Sequence, residues 1–510
     1  MNFLLLVGFS AILLYSAFPA LSFWPAAFVA LVPLLQALEL VKDAKTAFKA
    51  GFVWGLFFFT LLLWWLVPTI STYGKIHFLL AIPVVMCLCC YLAIYPGLWA
   101  IFTKRLYMSS WSGVQLVIAS ASCWILLEAI RGWFLSGFPW GAMAYSLAPV
   151  PVFIQSADIW SVYGVGFLVL FFNLSIFEVV RMFKKASESG VIPRGFLPLA
   201  AIFGLVLGFN SVYGFLKINT PYKTDMQVAA VQAAIDQNKK WAPEVTKFTV
   251  DRYINLTREA KERYPGLRLA VWPETAMPFY FQEDSAIKEQ VLKFASYSNL
   301  YILLGSPSYV FSKGGEINYL NSAYVIGPNG TVLGRYHKTH LVPFGEYMPW
   351  GALTSWAKRF LPTAGDFVAG EALESIKAGP FRIGTMICFE SIFPQIARKE
   401  VAKGANLLAV ITNDAWFGQT PAPWQHADMA IFRAVETRRW LVRAANTGVS
   451  RIISPLGEVI VSSHLFRPEF VSARVGLCEK KTLYVKYGSM WFVAINLLIV
   501  IFSFYKTKEL

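Results

Sequence analysis

The stretch Phe381-Arg-Ile-Gly-Thr-Met-Ile-Cys-Phe-Glu-Ser-Ile392 decides how the rest of the chain is read. Its apolar run predicts a buried β-strand that ends in a thiol, Cys388, with a carboxylate, Glu390, just beyond. A strand of this kind fixes a sulfur rigidly while the loop after it stays open, which suits a nucleophile. A lone Cys beside an apolar run is more often a packing residue. The partners of Cys388 therefore decide, and they lie elsewhere in the sequence.

Composition sets the surroundings. Of 510 residues, 56% are hydrophobic and 15% charged, against roughly a quarter charged in an ordinary soluble domain. At least part of the chain belongs in a membrane. The formal net charge of +15 is dispersed in short Lys/Arg tracts beside apolar runs. That pattern orients a membrane protein; a nucleic-acid binder would gather its charge in one patch, so no nucleic-acid partner is expected. The six cysteines include no Cys-x-x-Cys pair and the five His are scattered, so neither a metal site nor a cofactor is expected. Cys87, Cys89, Cys90 and Cys123 sit in apolar segments and read as structural, and Cys478 follows a late strand.

Seven apolar runs lead the chain, at residues 2–18, 23–40, 48–70, 78–102, 114–130, 162–180 and 196–215, and an eighth closes it at 490–504. Each approaches the roughly 20 residues a helix needs to cross a bilayer. The first run has no basic leader and a second follows at once, so it is expected to be a span and not a signal peptide. Basic residues cluster at Lys42, Lys45 and Lys49, at Lys104 and Arg105, at Arg181, Lys184, Lys185 and Arg194, and at Lys506 and Lys508. All fall on one side if both termini are cytoplasmic, which puts the segment from about 216 to 486 on the outer face. In that segment strand-length apolar runs at 226–231, 269–272, 301–304, 323–326, 381–387 and 407–411 alternate with helical patterns at 245–263, 285–297 and 426–441. An α/β layered domain is predicted. Gly327-Pro-Asn-Gly330 and Pro455-Leu-Gly457 read as turns. The expected organisation is a bundle of seven transmembrane helices at 1–216, an extramembrane α/β domain at 217–486, and an eighth transmembrane helix with a cytoplasmic tail at 487–510.

Two further segments carry chemistry. Trp272-Pro-Glu-Thr-Ala-Met-Pro278 holds Glu274 in a loop that its prolines stiffen. Gly334-Arg-Tyr-His-Lys-Thr-His-Leu-Val-Pro-Phe-Gly-Glu346 offers Lys338, His337, His340 and Glu346. Brought to one place, a carboxylate takes a thiol proton, and an ammonium favours the thiolate and then steadies an oxyanion. His337 or His340 paired with Cys388 is the second catalytic arrangement these residues allow. Each also has a plain structural role open to it: Glu274 and Lys338 as surface charges, His426 as a local hydrogen-bonder, Trp241 as an interfacial anchor, Glu128 and Arg131 as an ordinary helix-end pair.

Trp272-Pro-Glu274, Tyr336-His-Lys338 with the later Pro343-Phe-Gly-Glu346, and Ile387-Cys-Phe-Glu390 resemble the nitrilase superfamily and its Glu-Lys-Cys triad, over about residues 226–475. Asn413-Asp-Ala-Trp-Phe-Gly418, Pro423-Trp-Gln-His426, Asn446-Thr-Gly448, the loop from Arg131 to Trp140 and Phe23-Trp-Pro-Ala26 narrow the resemblance to the membrane-embedded apolipoprotein N-acyltransferase family. The resemblance implies an αββα sandwich with a catalytic triad of Glu274, Lys338 and Cys388. It implies supporting roles for Glu346, Glu390 and Phe389, and for Trp241 on a mobile loop, with residues 344–350 as a second part of a lid. Phe389 departs from the family's usual Tyr, so any role resting on that hydroxyl is lost while an apolar lining role survives. The implied reaction moves an acyl chain from a phospholipid, through a Cys thioester, to the N-terminal amine of a diacylglyceryl apolipoprotein. The implied setting is the bacterial inner membrane with a periplasmic catalytic domain, and a monomer is expected. A membrane-tethered amidase and a non-catalytic scaffold or transporter are the competing classes; few charged residues interrupt the spans, which disfavours a transporter.

Overall fold

The computed structural model describes residues 3–109, 111, 113–191, 193, 195–349, 366–371 and 374–508. Asn2, Arg194 and Trp350, each part of an expected feature, lie outside the described residues. The chain forms two compact units, one of Met1–Pro68, His77–Asn219 and Tyr487–Leu510, the other of Thr69–Ile76 with Thr220–Lys486.

The first unit is helical. Among the described residues, five of its helices are long and apolar enough to cross a membrane: Ala44–Leu63, Phe78–Met108, Val114–Arg131, Ala157–Ser189 and Phe196–Ile218. Three more expected spans coincide with shorter apolar stretches, Phe3–Ser16, Trp24–Leu40 and Met490–Lys506. The second of these is interrupted for a reason visible in the sequence. Pro25 and Pro33 each open a new helical segment, Trp24–Phe28 and Val32–Leu40. The break frees backbone groups that apolar surroundings cannot satisfy. Buried Asn173 meets them, donating from Nδ2 to the Ala27 carbonyl at 2.7 Å and accepting the Leu31 N–H at 2.8 Å. Glu128 and Arg131 act similarly on the loop beyond Val114–Arg131. The Glu128 carboxylate accepts from Trp124 Nε1 and from the Met143 N–H, and Arg131 donates to the Phe138 and Trp140 carbonyls. The two side chains are 4.0 Å apart, so the pair expected from sequence also clamps a loop.

The described residues of the second unit form twelve strands: β1 Met226–Gln232, β2 Leu267–Val271, β3 Tyr301–Phe311, β4 Ile317–Ile326, β5 Val332–His337, β6 Ile376–Ala378, β7 Phe381–Ile387, β8 Leu407–Thr412, β9 Leu441–Ala445, β10 Arg451–Ile453, β11 Val459–Ser462 and β12 Glu469–Val475. They form two six-stranded sheets, ordered β12-β1-β2-β3-β4-β5 and β11-β10-β9-β8-β7-β6. β1, β2 and β3 run parallel, as do β7, β8 and β9. Alternate residues explain the layering. Val228, Leu269 and Leu303 of one sheet and Ile383, Leu407 and Val442 of the other share one core between the sheets. Ala229, Ala270 and Ile302 face outward and bury Tyr253, Val291 and Phe294 of the helices Pro243–Arg263 and Ala286–Ser298. Strands apolar on both faces demand cover on both faces. The helices Pro394–Ala402 and Ala422–Thr437 pack on the second sheet, giving helix, sheet, sheet, helix. Gly327-Pro-Asn-Gly330 turns β4 into antiparallel β5, and Pro455-Leu-Gly457 turns β10 into β11, as the sequence predicts.

Several boundaries differ: β3 and β4 extend well beyond the apolar runs at 301–304 and 323–326, and the run at 48–70 is split between helices Ala44–Leu63 and Leu66–Tyr73. The helical pattern over 426–441 ends at Thr437, and Leu441 opens β9. Arg438 takes φ +53°, a left-handed cap that stops the helix. Leu-Val-Arg-Ala-Ala is then held extended by two neighbouring strands, whose hydrogen bonds override local helix preference.

Glu400, on the helix Pro394–Ala402, is fully buried, and among the described residues neither carboxylate oxygen has a hydrogen-bond partner. Burial, with the nearby Glu390 charge, pushes its carboxyl up to about 8. The folded form keeps a proton the unfolded chain releases near the ordinary value of 4.5, so folding is progressively penalised from that pH up to about 8. At about 1.4 kcal/mol per pKa unit the penalty is roughly 3 kcal/mol by pH 7. Glu400→Met therefore raises the thermal unfolding midpoint at pH 7–8 and has little such effect at pH 4.5; a midpoint gain independent of pH contradicts this account.

Candidate active site

The site gathers where parallel strands end, the usual place for ligands in such sheets. β2 ends at Val271, and the chain turns through Pro273 and Glu274 into Thr275, which holds φ +49°. Gly305 on β3 makes room for this turn: a Cβ there would stand 2.6 Å from the Thr275 nitrogen and 2.7 Å from the Glu274 Cα. The Glu274 carboxylate is buried and fixed at both oxygens. Oε1 accepts from Asn321 Nδ2 at 2.7 Å, and Oε2 accepts the Asn413 N–H at 2.8 Å. Asn413 opens the turn after β8 and is itself held by Gln237 and Asn446.

Lys338 follows β5 and is buried. Its backbone N–H donates to the Asn321 carbonyl. Its Nζ lies 2.9 Å from each Glu346 oxygen and 3.8 Å from Glu274 Oε1. Burial opposes the charge of this ammonium, but Glu346 and Glu274 outweigh that and hold it above the ordinary lysine value. Glu346 is aimed by its own turn, where Oε2 accepts the Val342 N–H and Oε1 also accepts from Asn321.

Cys388 follows β7 directly and takes φ +54°. Backbone strain of this kind in a non-glycine residue persists only where surroundings impose it. Two groups do so. Buried Glu390 binds the Ile387 N–H through Oε2; through Oε1 it accepts from Tyr336 Oη, Thr339 N, Thr339 Oγ1 and the His340 N–H. It thereby ties the Cys388 turn to the segment carrying Lys338. His426 reaches the turn from below, its Nε2 at 3.1 Å from the Cys388 carbonyl and 2.9 Å from Ser391 Oγ. Burial and Arg443 push this imidazole below its ordinary value. Its Nδ1 lies 3.1 Å from both Asp414 Oδ1 and Arg443 Nη2. Asp414 completes the set, 2.6 Å from Arg443 Nη2; burial opposes its charge, yet Arg443 and His426 hold its carboxyl down at about 2.

The Cys388 thiol is pushed up, first by burial and then by the Glu274 charge, with Lys338 pulling the other way. At neutral pH it rests protonated and needs a base. His337 is engaged elsewhere: its Nδ1 is 2.6 Å from Ser322 Oγ, and burial lowers it to about 4. The His340 ring packs against Phe393 with centroids 4.0 Å apart and planes tilted by 44°, and its centroid lies 5.9 Å from that of Phe389. Phe389 and Phe393 also meet edge to face, so Phe389 sits in an apolar cluster. Trp241, in the turn after β1, is 53% exposed. Glu274, Lys338, Glu346, Cys388 and Glu390 are thus brought into one network, with Phe389 beside it. Sequence reading used Tyr336 as part of a motif but gave it no role, and missed Asn321 and Arg443, polar strand residues whose sequence neighbours give no signal. The described residues contain no group of three or more His, Cys, Asp and Glu placed to hold a metal ion.

In Glu390→Gln the amide must set an N–H against one of these donors. The unfolding midpoint falls by the equivalent of about 1–3 kcal/mol, and Cys388 alkylation becomes less selective over the other cysteines. An unchanged midpoint would show that the carboxylate does not hold the turn.

Residues 10–175 match the family profile described as apolipoprotein N-acyltransferase N-terminal domain, and residues 227–477 match that of carbon-nitrogen hydrolase. The apolipoprotein N-acyltransferase of Geobacter metallireducens is 38% identical over 96% of this chain and 92% of its own length. That of Haemophilus influenzae is 30% identical over 95% and 91%, and that of Pasteurella multocida 28% over 97% and 93%. The second unit is a nitrilase-like α/β domain, and the chain belongs to the apolipoprotein N-acyltransferase family.

Proposed function

We propose that the protein transfers an acyl chain from a phospholipid to the N-terminal amine of an S-diacylglyceryl-cysteine apolipoprotein, with Glu274, Lys338 and Cys388 as its catalytic residues. The observation that carries this is the charge arrangement at the Cys388 turn, in a chain of this family. Glu346 neutralises Lys338 at 2.9 Å, which leaves Glu274, at 3.8 Å, free to act as a base.

Glu274 takes the Cys388 proton as sulfur attacks the ester carbonyl. Lys338 stabilises the oxyanion of the tetrahedral intermediate. The intermediate collapses, the C–O bond breaks, and the leaving alkoxide recovers the proton from Glu274, releasing lysophospholipid. A thioester remains on Cys388. The lipoprotein amine attacks it, Glu274 accepts the amine proton, the C–S bond breaks, and the thiolate takes that proton back. Donor and acceptor use one site in turn, so kinetics are ping-pong. Glu390 fixes the turn, Phe389 lines the acyl path, and Trp241 covers the thioester against water. The base and ammonium need no cofactor.

The wider reading belongs to the same proposal. The catalytic domain, residues 217–486, is periplasmic, flanked by seven transmembrane helices in 1–216 and an eighth in 487–510. Both termini are cytoplasmic, the location is the bacterial inner membrane, and the protein acts as a monomer. Apolar helices on both sides of the domain in sequence support membrane attachment. Attachment suits substrates whose acyl chains cost about 0.8 kcal/mol per CH₂ to expose to water.

Purified protein in detergent, given phospholipid and a diacylglyceryl lipopeptide, yields a lipopeptide heavier by one acyl chain, and Cys388→Ala yields none. Release of free fatty acid without N-acylated peptide would favour the amidase-like reading, and transfer by Cys388→Ala would overturn the proposal.

A further inference from the structure

Lys240 lies next to Trp241, yet it is fully buried where Trp241 is exposed. Its Nζ donates to Thr275 Oγ1 at 2.6 Å and to the carbonyl of Glu274 itself at 3.3 Å. Its backbone N–H closes the turn on the Asp236 carbonyl. The same turn is tied a second time to the base: Gln237 Oε1 accepts from Asn413 Nδ2 at 2.6 Å, and the Asn413 N–H holds Glu274 Oε2. The turn that carries Trp241 therefore grips the Glu274 residue at its carbonyl and, through Asn413, at its carboxylate.

The tie is costly for stability alone. A buried ammonium wants strong acceptors, and the two that Lys240 Nζ meets, a carbonyl and a hydroxyl, are neutral. Burial pushes the amine down to about 7, against the pull of Glu274. An apolar side chain of the same length would pack more cheaply. Thr275, a β-branched residue at φ +49°, is the strained point to which the amine is fastened.

We propose that Lys240 is a positioning residue whose ammonium couples the Trp241 turn to the Glu274 peptide, so that the base is aligned only when that turn is seated. The consequence is ordered catalysis. Substrate that seats Trp241 also sets Glu274 for proton transfer, and an unseated turn leaves Cys388 protonated. This rests on the acyl-transfer reading for its kinetic arm and on the fold alone for its chemical arm.

The test uses the full chain in detergent with Lys240→Met, Thr275→Val and the double variant. Two rates are measured on the same samples: acyl-enzyme formation from phospholipid, and iodoacetamide alkylation of Cys388 followed on its own peptide. Lys240→Met lowers kcat by roughly 10–100-fold, as small misplacement of a reacting group does, with KM within about twofold. It slows Cys388 alkylation as well, and the double variant falls no further than Lys240→Met alone. Rates within about twofold of wild type, or losses that multiply in the double variant, overturn the coupling. Should Lys240→Met fail to fold, Thr275→Val carries the comparison, because it removes the same acceptor. Wild-type protein that forms no acyl-enzyme overturns the acyl-transfer reading instead, and the alkylation rates still judge the tie.

Discussion

A single buried ammonium, Lys338 Nζ, lies between two carboxylates, close to Glu346 and farther from Glu274. Three charges in a dry site sum to one negative charge, and a fourth, the Cys388 thiolate, would add another. Asn321 links the three, since its side-chain amide donates to both carboxylates and its backbone carbonyl accepts the Lys338 N–H. The thiol therefore stays protonated at rest. In the proposed mechanism it ionises only as its proton passes to Glu274 and its electrons attack a carbonyl, which limits stray reaction of the sulfur.

This electrostatic design depends on backbone geometry imposed from outside. Cys388 and Thr275 both hold positive φ, and each strained residue is clamped by buried polar groups: Glu390 and His426 for one, Lys240 for the other. The two sheets provide the rigid mounts, because their strands are apolar on both faces and leave little room to shift. Many polar groups are concentrated at the strand ends, where Glu274, Glu346 and Glu390 each find several partners. Glu400 differs: among the described residues neither oxygen of this buried acid has a hydrogen-bond partner, and its proton holds the cost down.

Much of this was legible in the sequence for physical reasons. Runs such as 381–387 and 407–411 are continuous and apolar, which is what a strand covered on both faces requires. Turn chemistry at Gly327–Gly330 marked the β4–β5 hairpin. The charged residues near Glu274, Lys338 and Cys388 stood out against apolar flanks. What stayed hidden was of two kinds. The helical pattern over 426–441 overran the helix, which ends at Thr437, and β9 was not read at all, because the hydrogen bonds of neighbouring strands that hold it extended leave no local signal. Asn321, Lys240 and Arg443 look like surface residues, because burial with a specific partner leaves no trace in sequence spacing. The long apolar helices were plain, while the short segments around Pro25 and Pro33 show that apolar length alone does not make a continuous helix.

The central claim is that the Cys388 sulfur itself carries the acyl chain. Wild-type protein incubated with phospholipid and no acceptor, digested and weighed, should show the Cys388 peptide heavier by one acyl chain, with the adduct removed by hydroxylamine. A Cys388 peptide of unmodified mass in protein that still acylates lipopeptide would contradict the account.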